Sequence, residues 1–244
     1  VAASGSLLVL AGGGGGIETL DAGNGAPSRL GSLGSPFYQS AVVIEGDHAF
    51  VAGGLGGAEV VDIGDPSSPR LVWRERLSEV RGVFADAERF YIPDGFEGVR
   101  IYSRDDPPGL LSVTDTPGWS CDVHAGDGYL YVADGGNGIL IMDISDPSSP
   151  VTRGSVDIGS IAREIHLTGR TLFVASHVGG ITAVDVSDPD RPFVAARYPT
   201  VDDARGVYAD EDLVYLASGA GGVYIFRYID QATSKGGHTD DQDR

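Results

Sequence analysis

A glycine recurs along this chain at an almost constant interval, and this repeat constrains the fold more than any other feature of the sequence. Six segments share one pattern: a short apolar stretch, a glycine-rich turn, a second apolar stretch, and a turn usually rich in aspartate and proline. The glycine before the second apolar stretch recurs every 40 to 42 residues, at Gly16, Gly57, Gly98, Gly138, Gly180 and Gly222. Repeats of this length with four short strands each are typical of β-propellers. The sequence therefore predicts an all-β fold, a six-bladed β-propeller with about 41 residues per blade.

The fourth repeat shows how one blade is built. Its four strands, named A to D in chain order, are predicted at residues 122–125, 129–133, 139–143 and 151–156. They are continuous apolar runs, as expected for a sheet that neighbouring blades cover on both faces. The glycines between strands B and C tolerate the positive φ of a tight hairpin. The DPSSP segment after strand C ends that strand, because aspartate bonds to its own backbone and proline fixes φ.

Three of the repeats carry a specific resemblance. The segments GILIMDISDPSSP, ITAVDVSDPDRP and AEVVDIGDPSSP, preceded by halves such as CDVHAGDGYLYVADG, resemble the LVIVD-repeat family of bacterial and archaeal propellers. The resemblance covers residues 1–228 and is strongest in the second, fourth and fifth repeats; AGNGAP and IYSRDDPP replace the usual turn in the first and third. It implies a secreted or cell-surface propeller. It implies no defined reaction, because the repeat is a structural unit.

The two ends of the repeat array do not match each other. Val1 aligns with Val42 and Val123, inside strand A, and the sixth repeat ends after strand C, so the last blade is expected to lack its outer strand. Any segment before Val1 is expected to read like an outer strand; if further repeats precede Val1, the blade count rises above six. The predicted propeller covers residues 1–230, and residues 231–244 are predicted to be a flexible acidic tail. The expected blades lie near residues 1–40, 41–80, 81–120, 121–162, 163–204 and 205–230.

Charge and composition exclude several classes of function. The formal net charge is −18, which disfavours binding to a phosphate backbone, so no nucleic-acid partner is expected. No apolar run approaches the roughly 20 residues that span a bilayer. A single cysteine excludes an internal disulfide and a cysteine-rich zinc site. Phosphate-loop, HExxH, GxSxG and EF-hand motifs are absent, and no cofactor is expected.

Aligning the repeats places a candidate site at one mouth of the central channel. The residue at the start of strand A is Ser40, Arg81, Cys121, Arg163 and Arg205 in repeats two to six. Three guanidiniums there could hold a carboxylate or phosphate. The alternative is that each arginine pairs with an acidic neighbour such as Asp122, Glu164 or Asp203. Cys121 has no evident activating base, and a small buried thiol is the simpler interpretation.

Three positions further along strand A stand Val43, Phe84, His124, His166 and Tyr208. His124 and His166 occupy equivalent places in adjacent blades and are weak candidates for metal ligands. The apolar and aromatic residues at the other equivalent positions favour packing, and no metal is predicted.

The loops on the same face carry aromatic residues. Tyr38 and Trp119 lie in the links from strand D to the next strand A, and His177 lies in a B–C hairpin. Aromatic residues around a channel mouth suit a recognition surface, but they could equally cap the ends of the core.

These features support three hypotheses for function. The first is a non-catalytic extracytoplasmic scaffold in a bacterium or archaeon, which binds a protein with a basic surface and is an accessory subunit on a larger cell-envelope or membrane complex. The second is a hydrolase or lyase that holds an anionic substrate with Arg81, Arg163 and Arg205. The third is a carbohydrate-binding propeller that uses Tyr38 and Trp119.

Overall fold

The computed structural model describes residues 1–23, 25–105, 108–210 and 212–228. These residues form six antiparallel sheets, and each sheet is one blade. Blade 1 comprises β1 (Ala2–Ser4), β2 (Leu7–Ala11), β3 (Ile17–Asp21) and β4 (Ser28–Leu33). Blade 2 comprises β5 (Ala41–Glu45), β6 (His48–Ala52), β7 (Ala58–Asp62) and β8 (Arg70–Glu75). Blade 3 comprises β9 (Phe84–Ala85), β10 (Arg89–Pro93), β11 (Val99–Ser103) and β12 (Leu110–Thr114).

The other three blades follow the same plan. Blade 4 comprises β13 (Asp122–Gly126), β14 (Tyr129–Ala133), β15 (Ile139–Asp143) and β16 (Val151–Val156). Blade 5 comprises β17 (Glu164–Thr168), β18 (Thr171–Ala175), β19 (Ile181–Asp185) and β20 (Phe193–Tyr198). Blade 6 comprises β21 (Ala204–Asp210), β22 (Leu213–Ser218) and β23 (Gly222–Arg227). Over the described residues, the six-bladed prediction is confirmed, and so is the three-stranded last blade. The predicted tail lies outside the described residues.

The turns form as the sequence predicts. After strand C of blade 4, Asp143 Oδ1 accepts hydrogen bonds from the Ser145 N–H and hydroxyl, and Asp146 Oδ1 accepts them from the same groups of Ser148. These local bonds compete with the sheet ladder, so strand C stops at Asp143. No α-helix occurs in the described residues. A 3₁₀ turn at Gly219–Gly221 connects β22 to β23. No described helix is long and apolar enough to cross a membrane.

The core consists of apolar layers between consecutive blades. Five clusters of buried side chains fill the five junctions between consecutive blades, from the junction of blades 1 and 2 to that of blades 5 and 6. Side chains alternate along each strand, so successive residues face the preceding and the following blade in turn. Trp73, on the outer strand of blade 2, packs edge-on against Phe90 and Tyr102 of blade 3.

Candidate functional site on the loop face

The B–C hairpins and the D–A links meet at one end of the propeller, which we call the loop face. Each hairpin is held to the link beside it by backbone hydrogen bonds. Between Gly54 and Val80 two such bonds form, each 2.9 Å long, and the Ala162 N–H donates to the Gly135 carbonyl at 2.9 Å. Equivalent bridges join Gly13 to Gln39, Gly95 to Ser120 and His177 to Ala204. The loops of this face are therefore tied to one another from blade to blade.

Large apolar side chains project from this surface. The tips of three hairpins carry them at the same repeat position, and two D–A links carry others. All five are more than two-thirds exposed: Tyr38, Leu55, Phe96, Val178 and Val201. Several exposed apolar residues on one face suggest an interaction surface more strongly than a single exposed one does. Of these residues, the repeat pattern pointed to Tyr38 but gave no signal at Leu55 or Val178.

Arg81 and Trp119 contact each other on the loop face. The Arg81 guanidinium carbon lies 4.2 Å from the Trp119 ring centroid, and Phe96 stacks on Trp119 at 6.2 Å with an interplanar angle of 21°. Arg81 Nε and Nη2 both donate to Glu79 Oε1, at 3.0 and 2.8 Å. A guanidinium held by a carboxylate and an indole is fixed in orientation before any partner arrives.

The three arginines at the predicted mouth have different surroundings. Arg205 Nη2 lies 3.8 Å from Asp203 Oδ2, and His177 Nε2 lies 3.3 Å from the same oxygen. Arg163 forms no ion pair with the residues that the structure describes. The predicted pairing of arginine with an acidic neighbour holds for Asp203, and Arg81 pairs with Glu79 instead of a strand A residue.

Asp122 and Glu164, the other expected arginine partners, join strands of neighbouring blades. Asp122 Oδ2 accepts a hydrogen bond from the Ile165 N–H at 3.0 Å, and Glu164 Oε1 accepts one from the Val207 N–H at 3.2 Å. The pKa values of both carboxyls are raised, mainly because the surrounding protein atoms exclude water, and Glu164 raises that of Asp122 further. The expectation that these two residues pair with arginine is therefore wrong.

Cys121 lies beneath the loop face and not on it. It is buried, and its thiol donates a long hydrogen bond, 3.4 Å, to the Trp119 carbonyl. Burial raises the pKa of the thiol to about 11, so the sulfur stays protonated near neutral pH. This favours the interpretation of Cys121 as a packing residue.

A shallow groove of about 740 Å³ opens on the loop face beside blade 2. Its walls combine the apolar Tyr38 and Leu55 with the charged Arg76, Glu79 and Arg81. The groove thus offers apolar contact and charged hydrogen-bond groups side by side, as protein-binding surfaces do.

The innermost strands of blades 3 to 6 carry a row of neighbouring rings. Phe84, His124, His166 and Tyr208 lie next to one another, with centroid separations of 4.3, 5.2 and 4.8 Å. Burial and the neighbouring His166 lower the pKa of His124 to about 3, and burial lowers the pKa of His166. No group of three or more potential metal ligands occurs among the residues described. The two histidines therefore pack as neutral rings.

We expect His124→Phe to leave stability near pH 7.5 almost unchanged and to add about 2 kcal/mol relative to the parent near pH 4.5. In the parent, unfolded His124 takes up a proton below about pH 6.5, whereas folded His124 does so only near its lowered pKa. Stability is therefore lost as the pH falls through this window. Urea unfolding at both pH values measures the difference, with Tyr208→Phe as the non-titrating control. Identical pH dependence in parent and variant would contradict the assignment of His124 as a neutral buried ring.

Comparison with known sequences identifies the repeat. The sequence model of the LVIVD repeat matches residues 38–74, 117–158 and 159–200. The chain is an LVIVD-repeat protein. The matched stretches are the second, fourth and fifth repeats, so the family resemblance seen in the sequence is confirmed. No curated protein sequence matches this LVIVD-repeat protein significantly.

Solved structures resemble the LVIVD-repeat protein in fold. A computationally designed protein, Ika8, matches with a TM-score of 0.74 and 12% identity, over 94% of this chain and 70% of that chain. A chain from a nidogen–laminin complex matches with a TM-score of 0.64 and 14% identity, over 94% and 90% of the two chains. Sqt1 from Saccharomyces cerevisiae matches with a TM-score of 0.64 and 12% identity, over 91% and 79%. At these identities the likeness concerns the fold.

Proposed function

We propose that this LVIVD-repeat propeller is a non-catalytic protein-binding module that uses its loop face. One observation carries the proposal: five large apolar side chains project from loops that backbone hydrogen bonds hold to one another. Ordered loops lose little conformational entropy on binding, so exposed apolar area there converts more fully into affinity. One structurally similar chain comes from a complex of two proteins, nidogen and laminin.

The centre of this surface would be the Arg81, Trp119 and Phe96 stack. Tryptophan and arginine dominate binding energy in protein interfaces. The same geometry argues against the hydrolase or lyase alternative, because Glu79 and Asp203 neutralise two of the three arginines and Cys121 remains a thiol. It also disfavours Trp119 as a sugar platform, since Arg81 and Phe96 both lie against its ring.

The charge of the chain suits a partner with a basic surface. A net charge of −18 accelerates encounter with a positive protein and does so less at high salt. We place this partner in an extracytoplasmic assembly, with the propeller as an accessory subunit on a cell-envelope or membrane complex, on the strength of the family resemblance.

Capture from the native membrane fraction tests the proposal with two matched triple variants. The loop-face variant replaces three exposed apolar residues, as Tyr38→Ser, Leu55→Ser and Phe96→Ser. The rim variant replaces three exposed apolar residues on outer strands, as Val113→Ser, Val151→Ser and Phe193→Ser. We expect the loop-face variant to lower recovery of a specific partner at least about tenfold and the rim variant to leave it unchanged.

Other results would contradict the proposal. Equal recovery with the parent and both variants would show that the loop face binds no protein. Binding to a glycan array that requires Tyr38, with no protein lost from the capture, would support the carbohydrate alternative. Recovery that does not fall with rising salt would contradict the basic partner.

A further inference from the structure

Each junction between blades uses the same two kinds of face. In blade 4, Leu130 and Val132 face blade 3, and Tyr131 and Ala133 face blade 5. We call these the backward and forward faces. The five apolar clusters each join a forward face to the backward face of the next blade. Six blades therefore have two faces left over, the forward face of blade 6 and the backward face of blade 1.

The forward face of blade 6 is open to solvent. Its strand C carries Val223 and Ile225, which are 68% and 63% exposed, whereas the equivalent Ile139 and Ile141 of blade 4 are both 0% exposed. Tyr215 on the adjoining strand is half-buried, and its equivalent Tyr131 is buried. The residue types are those of an internal junction, but nothing among the described residues covers them.

The backward face of blade 1 is open in the same way. Val1 is 78% exposed, and its equivalent Val123 is 2% exposed. Leu8 and Leu10 are half-buried, although the residues at their positions in every other blade are buried. No apolar cluster joins blade 6 to blade 1 within the part of the chain that the structure describes. The six blades thus form an arc whose two ends are unpaired apolar faces.

We propose that both faces are covered by a partner polypeptide of the same chemistry, a segment of about two LVIVD-type blades that completes a larger ring. Such a segment has one backward and one forward face, so it covers both ends at once, in the contact this chain already makes five times. The shape of the arc supports this size. Of the three solved structures, the designed Ika8 chain has the highest TM-score, 0.74, yet the six blades match only 70% of its length. The unmatched part of Ika8 corresponds to about two more repeats of this length.

A second copy of the chain fits these faces less well. Contact between blade 6 of one copy and blade 1 of another is heterologous, so every added copy leaves one apolar face exposed at each end of the assembly. Each copy also carries a charge of −18, which opposes association with itself. A two-blade segment leaves neither face exposed.

The test uses a chain with a second copy of residues 121–206 placed directly before Val1. Val207 is the repeat equivalent of Val1, so the added blades enter blade 1 in the native register. Their first blade brings a complete backward face, with Leu130 and Val132, to the forward face of blade 6. The decisive substitution is Ile225→Asp, made in both the 244-residue chain and the extended chain. Val113→Asp, on the exposed outer strand of blade 3, is the matched control.

We expect Ile225→Asp to shift the Tm of the 244-residue chain by less than about 1 °C, because the side chain is exposed. In the extended chain it should lower the Tm by about 8 °C, because it buries an unpaired charge. Val113→Asp should be neutral in both. The extended chain should also be monomeric by light scattering, melt at a higher temperature than the 244-residue chain, and bind less of a hydrophobic dye.

Three results would overturn the proposal. The first is an equal effect of Ile225→Asp in both chains, which would mean that added blades do not cover this face. The second is a concentration-dependent oligomer of the 244-residue chain that Ile225→Asp dissociates, which would identify a second copy as the occupant. The third is an extended chain that is unfolded or less stable than the parent, since blades that fit both faces must add stability.

Discussion

Gly138→Ala is expected to lower the free energy of unfolding by about 4 kcal/mol, whereas Gly222→Ala should lower it by only about 1 kcal/mol. Both residues occupy the repeat position just before strand C, with φ of +81° and +79°. Both substitutions therefore place a Cβ in a backbone conformation that disfavours it, at a cost of about 1 kcal/mol. The further loss at Gly138 comes from contact with strand D.

Strand D makes the difference between the two positions. A Cβ on Gly138 would lie 2.2 Å from the carbonyl oxygen of Val156, a backbone atom that the sheet holds in place. The equivalent glycines of the other four-stranded blades have the same contact, at 2.0 to 2.2 Å. At Gly222 no described atom lies within 4 Å of that Cβ, because no strand D is described in blade 6.

Denaturant unfolding of the parent and the two variants measures this difference directly. Similar m-values would show that both variants unfold from the same compact state. Equal losses at the two positions would contradict the explanation, since only the positive φ is common to both. The comparison also explains why a glycine recurs before strand C. A side chain there would collide with the backbone carbonyl at the end of strand D.

The repeat made the strands predictable because each blade carries its own turn chemistry. Strands B, C and D of blade 4 have the predicted bounds, from Tyr129 to Val156. The Asp143 and Asp146 turns close locally, so their geometry depends on a few neighbouring residues. A local rule of this kind can be identified in the sequence without knowledge of the rest of the molecule.

The candidate site was less predictable because side-chain partners depend on how blades tilt toward each other. Alignment placed Arg81, Arg163 and Arg205 at equivalent positions, but only the structure shows that Glu79 holds Arg81 and that Trp119 lies against it. Leu55 and Val178 gave no signal because each stands alone within a glycine-rich turn. Their significance comes from the neighbouring loops, which are distant in the sequence.

The exposure of the two end faces could not be predicted from their residue types. Val223 and Ile225 are as apolar as Ile139 and Ile141, so their residue types predict burial. The apolar residue pattern indicates that a strand can pack against a neighbouring blade. It does not report whether a neighbour is present, which is why exposure at these positions is informative.

Two equivalent aspartates at the start of the B–C hairpins are expected to respond in opposite directions to the same substitution. Asp94→Asn should lower the free energy of unfolding by about 3 kcal/mol. Asp94 is fully buried, its Oδ1 accepts hydrogen bonds from the Ser78 and Glu79 N–H groups, and its Oδ2 accepts one of 2.8 Å from Arg100 Nε. An asparagine amide in place of Oδ2 would face the Arg100 donor and leave its charge unpaired.

Asp134 occupies the same place in blade 4, but Leu140 stands where blade 3 has Arg100. Among the residues that the structure describes, neither Asp134 oxygen has a hydrogen-bond partner in good geometry, and the Thr116 hydroxyl beside it has none either. Thr116 and the Gly118 N–H approach the carboxyl and partly stabilise its charge, but burial outweighs them and raises the pKa of Asp134. The ionised carboxylate is therefore less favourable in the folded protein than in the unfolded chain.

Asp134→Asn should accordingly raise the free energy of unfolding, by about 1 kcal/mol near pH 7. Because the folded pKa is raised, the parent is penalised as the pH rises from the unfolded value near 3.9 through the folded one. The gain from Asp134→Asn should therefore shrink as the pH falls toward 4, because the folded carboxyl takes up its proton before the unfolded one does. Urea unfolding at the two pH values, with Asp94→Asn measured alongside, separates the two cases. A loss of stability in Asp134→Asn at pH 7 would mean that the carboxylate has a partner in solution, and the contrast between Arg100 and Leu140 would then not explain the two sites.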